Sequence, residues 1–304
     1  TTPRSGSTWL MELIQSQPGF KRCSEPFNLR VPGVSRRLGL NHWKDLYQDD
    51  SWPLLERYLD GLFTGRLRFL NQDPRVRFYR PFTNRIVAKI LHAGEARINH
   101  LRDRFNGRVI FLLRHPIAVS LSREVTPRLQ AFLESDYRKN FQEKELRLGR
   151  RIFESGSKLQ KGVLDWCLQN AVPLRTAQPD WIVVSYEELV LAPEPILDRL
   201  AVELQLEFPD RLQDGLSMPS DTVRKSDRKT EEVLNEKRRV EDDWWLVEKW
   251  RERVGEAEER DLMEILEQFG IDCYRFGEVL PRPPVWLGSR IERPGSLAPT
   301  PSAP

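Results

Sequence analysis

Near its start the chain reads Thr2-Pro3-Arg4-Ser5-Gly6-Ser7-Thr8-Trp9. Hydroxyls and one guanidinium flank a glycine, and an apolar helical pattern follows at once. Such a segment can wrap an anion. Gly6 lets backbone come close, and a helix start offers unpaired N–H groups and the positive end of its dipole. The alternative is an ordinary capped turn with a chance arginine. A Walker A loop is excluded, because here the cation precedes the glycine instead of following it. A second candidate lies at Arg114, which closes the strongest apolar run of the chain, with Ser122 eight positions later. A forked guanidinium at a strand end suits a phosphate. A group held between that strand and the next helix could touch both residues. A third candidate is a carboxylate, Glu25 in Ser24-Glu25-Pro26-Phe27. It follows a short segment, Phe20–Cys23, that can return to the sheet edge carrying Arg4, where it could act as a base. Of four histidines, only His92, just after an apolar run, competes for that role. His115, between Arg114 and Pro116, reads as structural.

These residues need elements to position them. Trp9–Ile14 is a helical pattern, with Ser and Thr before it as caps. Residues 24–52, rich in Pro, Gly and Asn, read as a long loop. Trp52–Phe63 reads as a helix with Pro53 in its first turn. Ile86–Leu91, Arg108–Arg114 and Trp181–Tyr186 are short apolar runs, hence buried strands. Helices are expected at Glu95–Phe105, ended by Asn106-Gly107, at Pro116–Val125, over most of 128–176, at Pro193–Leu204 and within 231–269. Residues 211–230 read as an irregular basic stretch. Strands alternating with helices imply an α/β fold with a parallel sheet. Ligands of such sheets bind at the carboxyl ends of the strands, and the polar motifs fall there.

The residues from Thr2 to Leu10 resemble the 5′-phosphosulfate loop of the sulfotransferases that use 3′-phosphoadenosine 5′-phosphosulfate (PAPS). The Arg-Ser-Gly-Ser form is similar to the bacterial and carbohydrate-acting branches; cytosolic small-molecule members usually carry Lys where this chain has Arg4. The strand ending at Arg114, with Ser122 beyond it, resembles the family's 3′-phosphate motif. Ser24-Glu25-Pro26 resembles the Glu-Pro segment of Golgi carbohydrate sulfotransferases. Val184–Val190 resembles the family's Tyr-Glu-Asp-Leu segment, which implies that Tyr186 packs near the adenine; a core tyrosine is the alternative. Glu187 and Glu188 read as caps of the next turn. Arg224 and Lys225 begin a basic loop that could close over the 3′-phosphate or be a solvated charge run. Trp244, Trp245, Trp250, Phe269 and Tyr274 resemble the C-terminal helices. Residues 128–162 match nothing in the family.

The resemblance implies a P-loop-like parallel sheet flanked by helices, with the strand that should precede Thr2 truncated. It also implies sulfuryl transfer from PAPS to an acceptor hydroxyl, a carbohydrate's among them, or to an amine. Arg4 and Glu25 would be catalytic, with His92 the alternative base. Arg4, Ser5, Gly6, Ser7, Thr8, Trp9, Arg114, Ser122, Tyr186, Arg224 and Lys225 would bind the nucleotide, without a metal. Two rivals stay open: a P-loop nucleotide kinase, which wants Gly-Lys-Ser/Thr, and a non-catalytic nucleotide-binding module.

Composition bounds the rest. The 304 residues read as one domain over 1–280 and a Pro- and Ser-rich tail, 281–304, expected to be disordered. The net charge of +3 gives little support to a nucleic-acid partner. Cys23, Cys167 and Cys273 are far apart, so neither a metal site nor a disulfide framework is expected, though one disulfide stays open. No apolar run is long enough for a membrane span. The chain opens at a motif without Met, as a fragment would, so a cytoplasmic location is expected only if no leader or anchor is missing. Oligomeric state is not legible.

Overall fold

The computed structural model describes residues 1–70, 83–216, 218 and 240–283. Its architecture is α/β: small parallel sheets flanked by helices. The strands among the described residues are β1 (Phe20–Ser24), β2 (Arg85–Lys89), β3 (Ile110–Leu113) and β4 (Ile182–Ser185). The three apolar runs all become strands, slightly shorter than expected. The single parallel sheet does not form among the described residues. β1 pairs with β2, β3 pairs with β4, and the two pairs are separate sheets. Apolar runs mark strands, but they do not say which strands are neighbours.

The register of each pair has a direct consequence. Ser24 lies opposite Lys89, so Glu25 emerges at the carboxyl end of β1 beside the last residue of β2. Leu113 lies opposite Ser185, so Arg114 and Tyr186 emerge side by side. Phe111, Leu112 and Leu113 are all buried, as a strand covered on both faces requires. Each such side chain contributes about 1.5–3 kcal/mol relative to exposure.

Helix α1 (Ser7–Gln15) packs against β1 and β2 and is buried almost all round. The expected Ser or Thr cap is absent. Gly6 occupies the N-cap in the left-handed region at φ 90°, with no side-chain cap hydrogen bond. The turn geometry outweighs the hydroxyls on either side, and no capping side chain occupies the helix start.

Residues 24–52 are not one loop. They contain α2 (Pro32–Leu38) and a 3-10 turn, Trp43–Tyr47. Val34 and Leu38 are buried one helical turn apart, and Gly39 at φ 65° ends the helix. Pro and Gly here bracket a short helix instead of preventing one. Helix α3 (Trp52–Phe63) has the expected bounds. Helix α4 (Ile98–Phe105) starts later than expected and ends, as expected, at Asn106 in the left-handed region. Helix α5 (Pro116–Ser120) is half the expected length, so Ser122 lies in the turn after it.

Next come α6 (Thr126–Glu134), α7 (Glu143–Ser155) and α8 (Lys158–Thr176). They are followed by α9 (Tyr186–Leu191), α10 (Glu194–Glu203), α11 (Asp210–Leu216), α12 (Val240–Glu248) and α13 (Glu256–Gln268). Helix α8 is the central one, packed on α5 and α13, with Trp166, Cys167 and Leu168 fully buried. Residues 210–216 are helical where irregular chain was expected. The remainder of the basic stretch, with Arg224 and Lys225, lies outside the described residues, as does the tail from 284. Trp244, Trp250, Phe269 and Tyr274 join the core, and all three cysteines are free and buried. Among the described residues, no helix is long and apolar enough to cross a membrane.

Candidate functional site

The loop at residues 2–8 is touched from both strand pairs. From β3, Arg114 reaches across and its Nη1 donates to the carbonyl of Arg4 at 3.1 Å. The same guanidinium lies over the Tyr186 ring at 3.9 Å. Tyr186 in turn packs against the loop and meets Trp9 edge to face at 6.2 Å. A Cβ added at Gly6 would come within 2.7 Å of the Tyr186 ring. Glycine is therefore required there twice, by its φ and by this close approach.

From β2, the Lys89 ammonium donates to the Thr8 hydroxyl at 3.0 Å and pairs with Glu25 at 2.8 Å. Backbone ties the same residues, since the Glu25 N–H donates to the Lys89 carbonyl at 2.9 Å. The other oxygen of Glu25 accepts from the Asn28 amide at 2.8 Å. Lys89 is nearly buried, which a cation tolerates only with such partners. Its one local mark in the sequence is its place inside the apolar run Ile86–Leu91. The pairing partner needed the strand register.

Backbone strain marks the same place. Arg4 at φ 71° and Glu25 at φ 52° are non-glycine residues in the left-handed region, as is Ala93 at 63°, beside His92. Such conformations cost roughly 1–3 kcal/mol each and cluster at functional sites.

The remaining expected residues are placed as follows. The Ser5 hydroxyl is turned inward and donates to the Thr2 carbonyl at 2.6 Å, so it shapes the loop. Ser7 is buried in the first turn of α1. Ser122 is not brought onto Arg114: its hydroxyl donates to the Val119 carbonyl at 3.0 Å. His92 is buried against the Trp43 ring at 4.6 Å, and no hydrogen bond joins it to the loop. Burial, with Arg128, Arg30 and Lys89 nearby, holds its basicity well below that of an ordinary imidazole.

The peptide after Arg114 is clamped by residues from distant parts of the chain. Glu187 is no cap of a turn; Ser185 caps α9 instead, accepting from the Glu188 N–H. The Glu187 carboxylate is fully buried and accepts from the His115 N–H at 2.8 Å and the Tyr274 hydroxyl at 2.9 Å. Burial raises its pKa. Trp166 Nε1 donates to the Arg114 carbonyl at 3.1 Å. His115 stacks on Trp250 at 4.4 Å, and burial pushes its pKa down to about 3, in keeping with a structural role.

Beside Glu25 lies a small cavity walled by Val34, Tyr58, Leu62, Phe69 and Leu70. Another open cleft, between α7 and α13, is edged by charged residues of both signs and receives none of the loop or strand ends. Among the described residues no group of His, Cys, Asp and Glu could hold a metal ion. The site therefore offers a tight loop before a helix, two strand-end cations and one carboxylate tied to the loop through lysine. No known protein family matches the chain, and no curated protein or solved structure matches it.

Proposed function

We propose that this chain is a sulfotransferase of the PAPS-dependent kind, with that family's fold. The observation that carries the reading is the double contact on one loop. Arg114 holds the Arg4 carbonyl from one side, and the Glu25–Lys89 pair holds Thr8 from the other. A donor with phosphates at both ends needs two anion sites and a carboxylate beside one of them.

The donor supplies a sulfuryl group already activated on its 5′-phosphate. Arg4 and the first-turn N–H groups of α1 hold that phosphate and take up the charge it gains as the S–O bond breaks. Arg114 holds the 3′-phosphate. Glu25 accepts the proton of the acceptor hydroxyl as its oxygen bonds to sulfur. Lys89, between Glu25 and Thr8, fixes the carboxylate toward the loop. The second reading, a non-catalytic bisphosphate-binding module, is favoured by one observation: both Glu25 oxygens are already engaged.

Thermal shift and calorimetry with adenosine 3′,5′-bisphosphate and with ATP–Mg²⁺ test the site. Expected is at least about tenfold tighter binding of the bisphosphate, or 1.4 kcal/mol. Preference for ATP–Mg²⁺ would point to a kinase and defeat the proposal. Tight bisphosphate binding with no transfer to a broad panel of hydroxyl and amine acceptors would select the module.

A further inference from the structure

Arg114 is gripped at three points. Its guanidinium lies over the Tyr186 ring and donates to the Arg4 carbonyl. Its own carbonyl accepts from Trp166 Nε1, on α8. The next N–H, that of His115, donates to the Glu187 carboxylate. Strand pairing stops at Leu113, opposite Ser185, one residue short of Arg114. Both polar atoms of the Arg114–His115 peptide are held instead by side chains of fully buried residues.

Glu187 is the costly member of this clamp. A carboxylate without exposed surface gives up its hydration, and no cation among the described residues lies within ion-pair reach of it. Capping does not account for it, because Ser185 already serves the start of α9. Its two oxygens go to the His115 N–H and to the Tyr274 hydroxyl. Tyr274 also meets the His115 ring edge to face at 5.2 Å, and Trp250 stacks on that ring. Elements far along the chain thus converge on the peptide that carries Arg114. A guanidinium fork recognises a phosphate by direction, and such a group keeps its aim only when neighbouring residues lock it.

Resting on the reading of Arg114 as the ligand of the 3′-phosphate, we infer that Glu187 is a positioning residue for nucleotide specificity. With Trp166 and Tyr274 it fixes the peptide that aims the Arg114 guanidinium, and so sets the preference for a bisphosphate over a 5′-monophosphate. Glu187 itself touches no nucleotide in this scheme; it acts through the His115 N–H.

The test measures the affinities of adenosine 3′,5′-bisphosphate and adenosine 5′-phosphate by calorimetry on the full chain, well below the Tm of each variant. Their ratio is the readout, because a general loosening of the fold weakens both nucleotides alike. Glu187→Ala should cut the ratio about tenfold. Glu187→Gln should restore most of it, since the amide oxygen still accepts from the His115 N–H. Tyr274→Phe, which releases one carboxylate oxygen and keeps the ring, should cut it about threefold. Glu145→Ala is the control. That carboxylate is equally buried, on α7, where it accepts from the Gln142 N–H and pairs with Arg175. Its loss should lower Tm and leave the ratio alone. A parent-like ratio in Glu187→Ala overturns the proposal and keeps the bisphosphate reading. So does a Glu187→Gln variant as impaired as Glu187→Ala, which would make charge, not position, the cause, and so does an equal fall in Glu145→Ala. Where Glu187→Ala fails to fold, Tyr274→Phe decides, and an unchanged ratio there overturns the proposal. A parent chain that binds both nucleotides equally removes the reading of Arg114 and the proposal with it.

Discussion

The two strand pairs present cations at their carboxyl ends in opposite states. At β1–β2, Lys89 has a carboxylate of its own, and its charge is already balanced by Glu25. At β3–β4, Arg114 has no carboxylate within ion-pair reach among the described residues and lies over an aromatic face. A cation over a ring gains about 0.5–2 kcal/mol and keeps most of its charge for a ligand. A cation balanced by an internal carboxylate serves to position that carboxylate. On the proposed function, the β1–β2 pair would serve proton transfer and the β3–β4 pair anion binding.

The sharpest way to break this division is Glu25→Gln. It should lower kcat by about 10²- to 10⁴-fold and leave adenosine bisphosphate affinity within about twofold. An unchanged kcat in single-turnover assays would remove the base from the first pair.

The two pairs also differ in how they titrate. Burial pushes Glu95, which follows β2, up to about 7 from 4.5. The folded chain then holds the proton more tightly than the unfolded one. Its contribution is full below about 4.5 and is lost as pH rises through about 7, about 3 kcal/mol in all. His115, which follows β3, is held down at about 3 from 6.5. The unfolded chain binds that proton first, so stability is lost as pH falls from about 6.5 toward 3. His92 adds a loss of the same sign. Urea unfolding across pH should show Glu95→Gln flattening the loss on the alkaline side and His115→Phe flattening part of the acid loss. If Glu95→Gln leaves the profile unchanged, Glu95 is not the buried acid assigned here.

Arg114→Ala should cost about 2 kcal/mol of bisphosphate binding and much less of adenosine 5′-phosphate binding; Lys at 114 should restore little of it, lacking the fork. Equal losses for both nucleotides would place Arg114 away from the 3′-phosphate. Gly6→Ala should give the smallest effect, about 1–2 kcal/mol of stability, from its left-handed φ and the Tyr186 ring. A Tm equal to the parent's would show that the loop relaxes freely.

Much of the architecture was legible from local patterns. The helix at Trp52–Phe63, the stop at Asn106 and the apolar strands follow from periodicity and turn chemistry, which act over a few residues. The short helix at Pro32–Leu38 was hidden because its Pro and Gly read as loop composition, although they sit only at its ends. Glu187 reads as a cap because a carboxylate two residues past a strand normally caps a turn; its partners, the His115 N–H and Tyr274, lie 72 and 87 residues away. The role of Lys89 is illegible for the same reason. Nothing near it in sequence predicts Glu25, 64 positions earlier, as its partner.

Residue types and spacing alone set the chemical inventory: a glycine flanked by hydroxyls and a guanidinium before a helix, an arginine closing an apolar strand, and a carboxylate ahead of a proline. These depend on residue type and spacing along one stretch of chain, where propensity and hydrogen-bonding geometry are local. Tertiary structure decided who serves whom. Parallel register set Glu25 beside Lys89 and Arg114 beside Tyr186, and packing carried both pairs onto one loop. Register is fixed by the burial of whole faces, a sum over distant residues that no short motif contains.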